Sequence, residues 1–153
     1  MAREVQVAQR RRGVTVSPAA VGRVVDALDR GFRPRCPAGS LSVAFVGDRE
    51  IARLHADFLD DPSVTDVITF PGEPHPGEDF AGEICINVDQ ARRAAREHGQ
   101  SLAAELRLYL VHGWLHLAGF DDATPRQVAS MRAAERKAAA SLDRKGLRLR
   151  VKE

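Results

Sequence analysis

The sequence lacks any long apolar segment. No uninterrupted hydrophobic run approaches the roughly 20 residues that a helix needs to cross a bilayer, so we expect no membrane partner. The first residues, Met-Ala-Arg-Glu-Val, do not form the apolar stretch of a signal peptide, which predicts a cytoplasmic protein. Internal repeats and low-complexity linkers are absent as well.

Cysteine is scarce, with Cys36 and Cys85 alone in the chain. Their spacing fits neither a cysteine metal site nor a disulfide framework, and Cys85 lies in an apolar run typical of a core. By contrast, 153 residues with 44% hydrophobic and 29% charged side chains suffice for a soluble domain with a substantial core. We therefore expect a single domain over residues 1–153.

Charge is unevenly distributed along the chain. Residues 1–46 carry a net charge of +5, residues 48–90 carry −9, and residues 91–153 carry +6. The basic ends, with the run Arg10-Arg11-Arg12 and a basic tail after residue 143, are candidates for contact with RNA. Ordinary solvated faces explain the basic ends equally well. Of the 23 basic residues, 20 are Arg, which is compatible with a GC-rich genome.

Periodicity and capping residues predict an α+β fold. Strands are predicted at residues 3–8 (an edge strand), 41–46, 66–70 and 83–88, with a Pro- and Gly-rich loop at 71–82. Helices are predicted after the caps Ser17, Asp48, Ser101 and Thr124, and over residues 89–98. This order predicts one layered domain, with a mixed sheet of about four strands packed with about five helices and the helix after Ser101 in the centre.

Residues 112–122, His-Gly-Trp-Leu-His-Leu-Ala-Gly-Phe-Asp-Asp, carry the strongest chemical signal. His112 and His116 are four residues apart, so on a helix their imidazoles share one face. Gly119 can end that helix in a left-handed turn and return Asp122 to the same place. Two imidazoles, a carboxylate and one open position are typical of a catalytic metal site.

A simpler interpretation stands beside the metal site. A His pair at helical spacing can arise by chance, and Gly119 can be an ordinary helix end. The surroundings favour the metal, because apolar residues flank both histidines and predict a buried helix whose imidazoles need polar partners. The predicted metal ligands are His112, His116 and Asp122.

The segment resembles the motif His-Gly-x-Leu-His-Leu-x-Gly-Tyr-Asp-His of the YbeY family of bacterial endoribonucleases. Phe120 replaces the Tyr, and Asp121 matches the motif's Asp. The other matching positions are His112, Gly113, Leu115, His116, Leu117 and Gly119. Upstream, residues 65–71 (Thr-Asp-Val-Ile-Thr-Phe-Pro) and 82–84 (Gly-Glu-Ile) are similar to further family motifs, and Met131 and Glu135 fit its last helix.

The resemblance implies an α+β metalloprotein in which three His bind one zinc ion. It also implies single-strand-specific endoribonuclease activity, with roles in 16S rRNA 3′-end maturation and ribosome quality control. Single-stranded rRNA is then the implied substrate, and the ribosome or small-subunit proteins are possible partners.

The chain departs from the family at three positions. The third His of the family is Asp122, an acceptable zinc ligand that lowers the charge of the site and makes manganese or iron more plausible. The Arg that the family usually carries is Leu59, which cannot contact a phosphate in the bidentate way of Arg. The family's Asn is His55, which could be a substrate contact, a fourth ligand or a partly exposed helix residue.

Two acidic residues are candidates for supporting roles near the metal. Asp66 could cap the turn before its strand or hydrogen-bond a ligating His, and Asp121 could compete with Asp122 as a ligand. No protein residue is assigned as general base, since water at the metal would carry the reaction.

Two alternative functions remain at this point. A zincin-like metalloprotease needs a Glu directly after the first His, and Gly113 stands there instead. A metal-stabilised, ribosome-associated factor that binds RNA or protein with weak or no catalysis is also compatible with Leu59 and Asp122.

Overall fold

The computed structural model describes residues 3–61, 63–72 and 79–153. These residues form five helices: α1 (Pro18–Gly31), α2 (Asp48–Leu59), α3 (Val88–His98), α4 (Leu102–Leu117) and α5 (Pro125–Arg144). The strands are β1 (Val5–Gln9), β2 (Thr15–Val16), β3 (Ser40–Val46), β4 (Val67–Pro71), β5 (Phe80–Asn87) and β6 (Val151–Lys152). The predicted α+β class is confirmed.

The main sheet has four strands in the order β1-β3-β5-β4. Strands β1, β3 and β5 are parallel, and β4 pairs with β5 in the antiparallel direction, so the predicted mixed sheet is confirmed. β1 lies at one edge, as predicted, whereas β3 and β5 are central and carry fully buried residues such as Val43, Ile84 and Ile86. Central parallel strands are buried on both faces, which explains their nearly continuous apolar sequences.

Strand β5 begins earlier than the sequence predicts. The predicted loop over 71–82 included Phe80 and Gly82, but Phe80 pairs with Ser40 of β3, and Gly82 pairs with both Leu41 of β3 and Pro71 of β4. Pairing with β3, and for Gly82 with β4 as well, holds these residues in the sheet despite their weak strand pattern. Residues 73–78 of the predicted loop lie outside the described residues.

A second, two-stranded sheet joins regions near the two ends of the chain. Thr15 of β2 lies opposite Lys152 of β6, and Ser17 N–H donates to the Arg150 carbonyl at 2.8 Å. This pairing was not predicted, because a strand of two residues carries no periodicity. The basic tail is therefore packed on the body of the protein, with Leu149 buried among its arginines.

Three of the predicted caps begin their helices as expected. The side chains of Ser17, Ser101 and Thr124 each accept a hydrogen bond from the first turn of α1, α4 and α5. The prediction for Asp48 is wrong: the N-cap of α2 is Gly47, which has no side chain to cap the helix, and the Asp48 N–H donates to Asp89 Oδ2 at 3.0 Å instead. Asp48 is the first helical residue, and its carboxylate accepts hydrogen bonds from α3 and from the end of β5 instead.

Helix α4 is the centre of the helical layer, as predicted. It contacts α1, α3 and α5 as well as β4 and β5. Gly113 allows its close approach to the sheet, because a Cβ at that position would lie 2.5 Å from Ile84 Cγ2. On the side facing α1, Trp114 is fully buried and donates its indole N–H to Asp29 at 3.0 Å. None of the helices in the described part of the chain combines the length and apolarity that crossing a bilayer requires.

Candidate metal centre

The last two turns of α4 present His112 and His116 on the same side of the helix. Their ring centroids are 4.7 Å apart, and the rings are inclined at 77°. Because Gly113, between them in sequence, is pressed against β5, the two imidazoles lie beside the sheet rather than under it. Their side chains are 16% and 22% exposed, so the face is partly open to solvent.

A tight turn after α4 brings Asp122 back to the two histidines. Gly119 has a φ of 113°, a conformation that side chains rarely adopt. Its N–H donates to the His116 carbonyl, and the Phe120 N–H donates to the Leu115 carbonyl, both at 3.0 Å. This is the Schellman pattern of helix termination, and it confirms the predicted role of Gly119.

His112, His116 and Asp122 form the group that we call the histidine site. Asp122 Oδ2 lies 3.5 Å from His112 Nε2 and 3.5 Å from His116 Nε2. Ligand atoms of the three residues all lie within 4.8 Å of one another. The structure thus brings together the three residues that the sequence pattern selects.

The donor set fits a divalent metal ion. Two donors bound to zinc at ~2.0–2.1 Å in a tetrahedral arrangement lie about 3.4 Å apart, close to the observed 3.5 Å. Two imidazole nitrogens and a carboxylate oxygen suit zinc and also iron or manganese. With 47% of its side chain exposed, Asp122 leaves the site accessible from solvent.

Glu135 of α5 is a site residue whose role the sequence did not reveal. Its Oε2 lies 3.5 Å from His112 Nδ1, on the imidazole edge opposite the one that faces Asp122. Glu135 is 4% exposed, and Arg132 Nη1 donates to its Oε1 at 2.7 Å. Burial raises the pKa of Glu135, but hydrogen bonds from His112 and Arg132 together lower it by more than burial raises it. The net shift is therefore downward. Glu135 is therefore a carboxylate that can accept the Nδ1–H of His112 and leave the Nε2 lone pair facing Asp122.

A signal for Glu135 was present in the sequence. It follows the buried Met131 by four residues and precedes the buried Ala138 by three, on the apolar face of α5. An acidic residue in such a position needs a buried polar partner. The contact joins two helices, however, and spacing along one helix does not reveal the partner.

The other sequence candidates lie elsewhere or act locally. Asp66 Oδ1 accepts a hydrogen bond from the Val67 N–H at 2.8 Å, as expected for a turn, and the described contacts do not join it to either histidine. Asp121 is exposed and has no hydrogen bond or ion pair among the described residues. His55 is half-buried on α2, with its Nδ1 3.0 Å from the Ser63 carbonyl. Leu59, at the end of α2, is 55% exposed.

Two of the predicted RNA-contacting arginines are paired within the protein. Arg10 donates to Glu50 at 2.9 Å, and Arg11 donates to Asp89 at 2.9 Å. Their charges are therefore partly compensated by the acidic middle region of the chain. Contact of the basic ends with RNA stays a prediction.

Comparison with known proteins places the chain in a family. The family model described as Endoribonuclease YbeY matches residues 11–143, a range that includes all of the histidine site and Glu135. The chain belongs to the YbeY family. The expected membership is thereby confirmed.

Curated YbeY relatives are similar to this chain over about 60% of its length. A protein of Myxococcus xanthus (strain DK1622) named Endoribonuclease YbeY is 39% identical over 99 residues, which are 62% of this chain and 34% of that protein. One of Elusimicrobium minutum with the same name is 40% identical over 96 residues, 61% of this chain and 67% of that protein. The chain spans about a third of the Myxococcus relative and half of two Anaeromyxobacter relatives.

The fold has a counterpart among solved structures. A Thermotoga maritima protein with a solution structure has a TM-score of 0.61 and 24% identity, with 90% of this chain and 88% of that chain covered. This similarity supports the arrangement of helices and strands.

Proposed function

We propose that this protein is a metal-dependent endoribonuclease that cleaves single-stranded RNA, with one metal ion bound by His112, His116 and Asp122. The observation that carries the proposal is the convergence of three ligand atoms within 4.8 Å at a solvent-accessible turn. Membership of the YbeY family supports RNA as the substrate.

The protein's own residues prepare this site for a metal ion. His112 and His116 offer Nε2 lone pairs, and Glu135 holds the Nδ1–H of His112 so that this tautomer is retained. Asp122 contributes a negative charge that attracts a cation. When bound, a divalent ion acts as a Lewis acid toward a phosphate oxygen and lowers the pKa of water. The exposed carboxylate edge leaves room for an RNA strand to approach.

Zinc is the proposed ion, with manganese or iron as substitutes. A carboxylate in place of a third imidazole gives the site one more negative charge, which makes the bound ion a weaker Lewis acid. Carboxylate oxygen also binds manganese and iron comparatively well.

The local structure argues against a peptidase. A zincin-like protease requires a Glu directly after the first His as general base. Gly113 occupies that position, and its Cα faces Ile84 of the sheet, so a longer side chain has no space there. RNA cleavage needs no such residue at that position.

The proposed cellular role is maturation of the 3′ end of 16S rRNA and ribosome quality control. These roles rest on membership of the YbeY family. They imply single-stranded rRNA as substrate, the ribosome or small-subunit proteins as partners, and the cytoplasm as location. Depleting the protein in its host and sequencing 16S rRNA 3′ ends would test this role, with accumulation of 3′-extended rRNA as the expected result.

Metal analysis and RNA cleavage test the activity together. Untagged wild-type protein should retain about one equivalent of zinc, whereas His116→Ala and Asp122→Ala should lose it and Asp121→Ala should keep it. The wild type should cleave a labelled single-stranded oligoribonucleotide but not its duplex, and EDTA or His116→Ala should abolish cleavage.

Two outcomes would contradict the proposal. A wild type that cannot be loaded with zinc, manganese or iron would remove the metal from the reaction. Metal binding without cleavage would favour the alternative of a metal-stabilised binding factor.

A further inference from the structure

Arg132 lies beside the histidine site on the exposed side of α5. Its Nη1 donates to Glu135 Oε1 at 2.7 Å and to Oε2 at 3.3 Å, and Glu135 Oε2 lies 3.5 Å from His112 Nδ1. Two contacts therefore link the guanidinium of Arg132 to a proposed metal ligand. The Arg132 side chain is 59% exposed, whereas that of Glu135 is 5% exposed.

Two of the three guanidinium nitrogens of Arg132 donate no hydrogen bond among the described residues. Among the described residues, its hydrogen bonds to Glu135 use Nη1 alone, and Nε and Nη2 have no acceptor. An arginine donates through such a pair of nitrogens to two oxygens of one phosphate. Glu135 also limits the orientations of the guanidinium, which lowers the entropy lost when a ligand binds.

The charge of the site calls for a cation at this position. Asp122 and Glu135 place two carboxylates beside the two histidines, and a divalent ion only offsets their two negative charges, which leaves no excess positive charge for RNA. RNA brings further negative charge, and affinity for it depends on neutralising phosphates. Arg132 is the basic residue that the described contacts tie to this group of acids.

We propose that Arg132 binds a backbone phosphate of single-stranded RNA, through Nε and Nη2, next to the phosphate at the metal. The inference rests on the proposed function and specifies how that site holds its substrate. Arg132 is then a substrate-binding residue whose guanidinium is positioned by its pairing with Glu135.

RNA binding under varied salt tests the contact without relying on turnover. The probe is a fluorescein-labelled single-stranded oligoribonucleotide, titrated by anisotropy with zinc-loaded and with EDTA-treated protein. Arg132→Ala should weaken binding about three- to tenfold near 0.1 M salt and reduce the slope of log K against log salt by about 0.7, the value for one phosphate contact on a single strand. Arg132→Lys should retain the slope while losing part of the affinity.

Arg23→Ala is the matched control. Arg23 is exposed in the middle of α1 and makes no hydrogen bond or ion pair among the described residues. The Arg23→Ala substitution removes the same charge at a different place on the protein, so the binding curve and salt slope of this variant should match those of the wild type. Equal losses in Arg23→Ala and Arg132→Ala would overturn the proposal, because the effect would then reflect overall charge.

Zinc affinity separates phosphate binding from support of Glu135. Competition with a chromogenic chelator should give Arg132→Ala a zinc Kd within about threefold of the wild type. A large loss of zinc affinity with unchanged RNA binding in EDTA would show that Arg132 serves Glu135 alone, and would overturn the proposal.

The cleavage assay distinguishes failure of this inference from failure of the proposed function. If the wild type cleaves RNA with metal but Arg132→Ala keeps the wild-type affinity and salt slope, the inference alone fails. If the wild type binds RNA with an Arg132-dependent slope but never cleaves it, the contact stands and the nuclease activity fails. A wild type without measurable RNA binding would overturn the contact.

Discussion

The histidine site and a second polar cluster, at the carboxyl ends of β3 and β5, pair their charges in different ways. The second, which we call the Asp48 cluster, consists of Arg11, Asp48, Asn87, Asp89 and Arg93. In it, Arg93 donates to both carboxylate oxygens of Asp48 at 2.7 and 2.8 Å, and Arg11 donates to Asp89 at 2.9 Å. In the histidine site, both imidazoles stand 3.5 Å from one carboxylate oxygen, and Asp122 has no hydrogen bond among the described residues.

This difference distinguishes a structural cluster from a site that can bind a ligand. The Asp48 cluster supplies donors for its own acceptors, and hydrogen bonds from Arg93 help to lower the pKa of Asp48 to about 2. The histidine site directs two imidazole nitrogens and a carboxylate oxygen toward one point, and among the described residues no Arg or Lys side chain donates to them. Ion pairs alone therefore do not mark a candidate functional site, whereas convergent ligand atoms that no Arg or Lys side chain neutralises do.

The largest expected contrast between the two regions is the effect of metal on stability. Zinc at roughly 1,000 times its Kd should raise the free energy of unfolding of the wild type by about 4 kcal/mol, and EDTA should reverse the effect. His116→Ala should show no such gain, whereas Arg93→Ala, which breaks the Asp48 cluster, should show the full gain. Urea denaturation of the three proteins with and without zinc measures this. A zinc gain retained in His116→Ala would place the metal elsewhere.

Removing the buried carboxylate behind His112 should have the next largest effect. Glu135→Gln keeps the shape of the side chain but loses the charge that faces Nδ1, and zinc affinity should fall roughly 10–100-fold. A chelator competition assay gives the Kd. The control is Glu50→Gln, which removes a partly exposed carboxylate paired with Arg10 and should leave the Kd unchanged. Equal zinc affinity of Glu135→Gln and wild type would show that the Nδ1 contact does not support metal binding.

Packing of α4 against the sheet should matter more than any single surface pair. Gly113→Ala places a methyl group against the side chain of Ile84, which should cost about 1–3 kcal/mol, partly offset by a gain of about 1 kcal/mol in helix propensity. Gly22→Ala, in α1, meets no atom within 4 Å and should stabilise the protein by up to about 1 kcal/mol. Urea denaturation should show changes of opposite sign in the free energy of unfolding of the two variants. A stabilised Gly113→Ala would contradict the close packing of α4 against the sheet.

The smallest expected effect is the pH-dependent contribution of Asp48. Because its pKa is lower in the folded protein than in the unfolded chain, the stabilisation is complete above about pH 4 and disappears as pH falls toward 2. Asp48→Asn should cost about 1 kcal/mol at pH 7 after allowance for solvent screening, and nearly nothing at pH 2.

Asp26→Asn is the control for this measurement. The Asp26 side chain is 36% exposed, like that of Asp48, but it pairs with a single exposed Arg30 along one helix. Such a pair contributes about 0.3–0.5 kcal/mol. Denaturation at several pH values compares the two variants, and a pH-independent loss in Asp48→Asn would contradict the assigned role.

The parts of the fold that depend on neighbouring residues were predictable from the sequence. Ser101 and Gly119 mark the two ends of α4 through hydrogen bonds that span only a few residues. His112, His116 and Asp122 are connected by a helix turn and a tight reversal, so their proximity follows from spacing alone.

The features that the sequence did not reveal depend on contacts between distant segments. The start of β5 at Phe80 is fixed by pairing with β3, and the sheet of β2 and β6 joins residues more than 130 positions apart. Asp48 was predicted as a helix cap because it precedes an amphipathic stretch. Its carboxylate instead accepts hydrogen bonds from Asn87 and Arg93, which lie about 40 residues away in the sequence. Glu135 reaches His112 across a helix interface, which no local pattern encodes.

The Schellman turn at Gly119 has a consequence for the order in which the protein assembles. It keeps the three proposed ligands within eleven residues of chain, so the entropy lost in closing that loop is small. The Asp48 cluster joins segments from Arg11 to Arg93 and needs the parallel strands in place before its charges meet. Low sequence separation favours early contact formation, so the end of α4 and the turn that carries Asp122 should be native-like while the sheet is still incomplete.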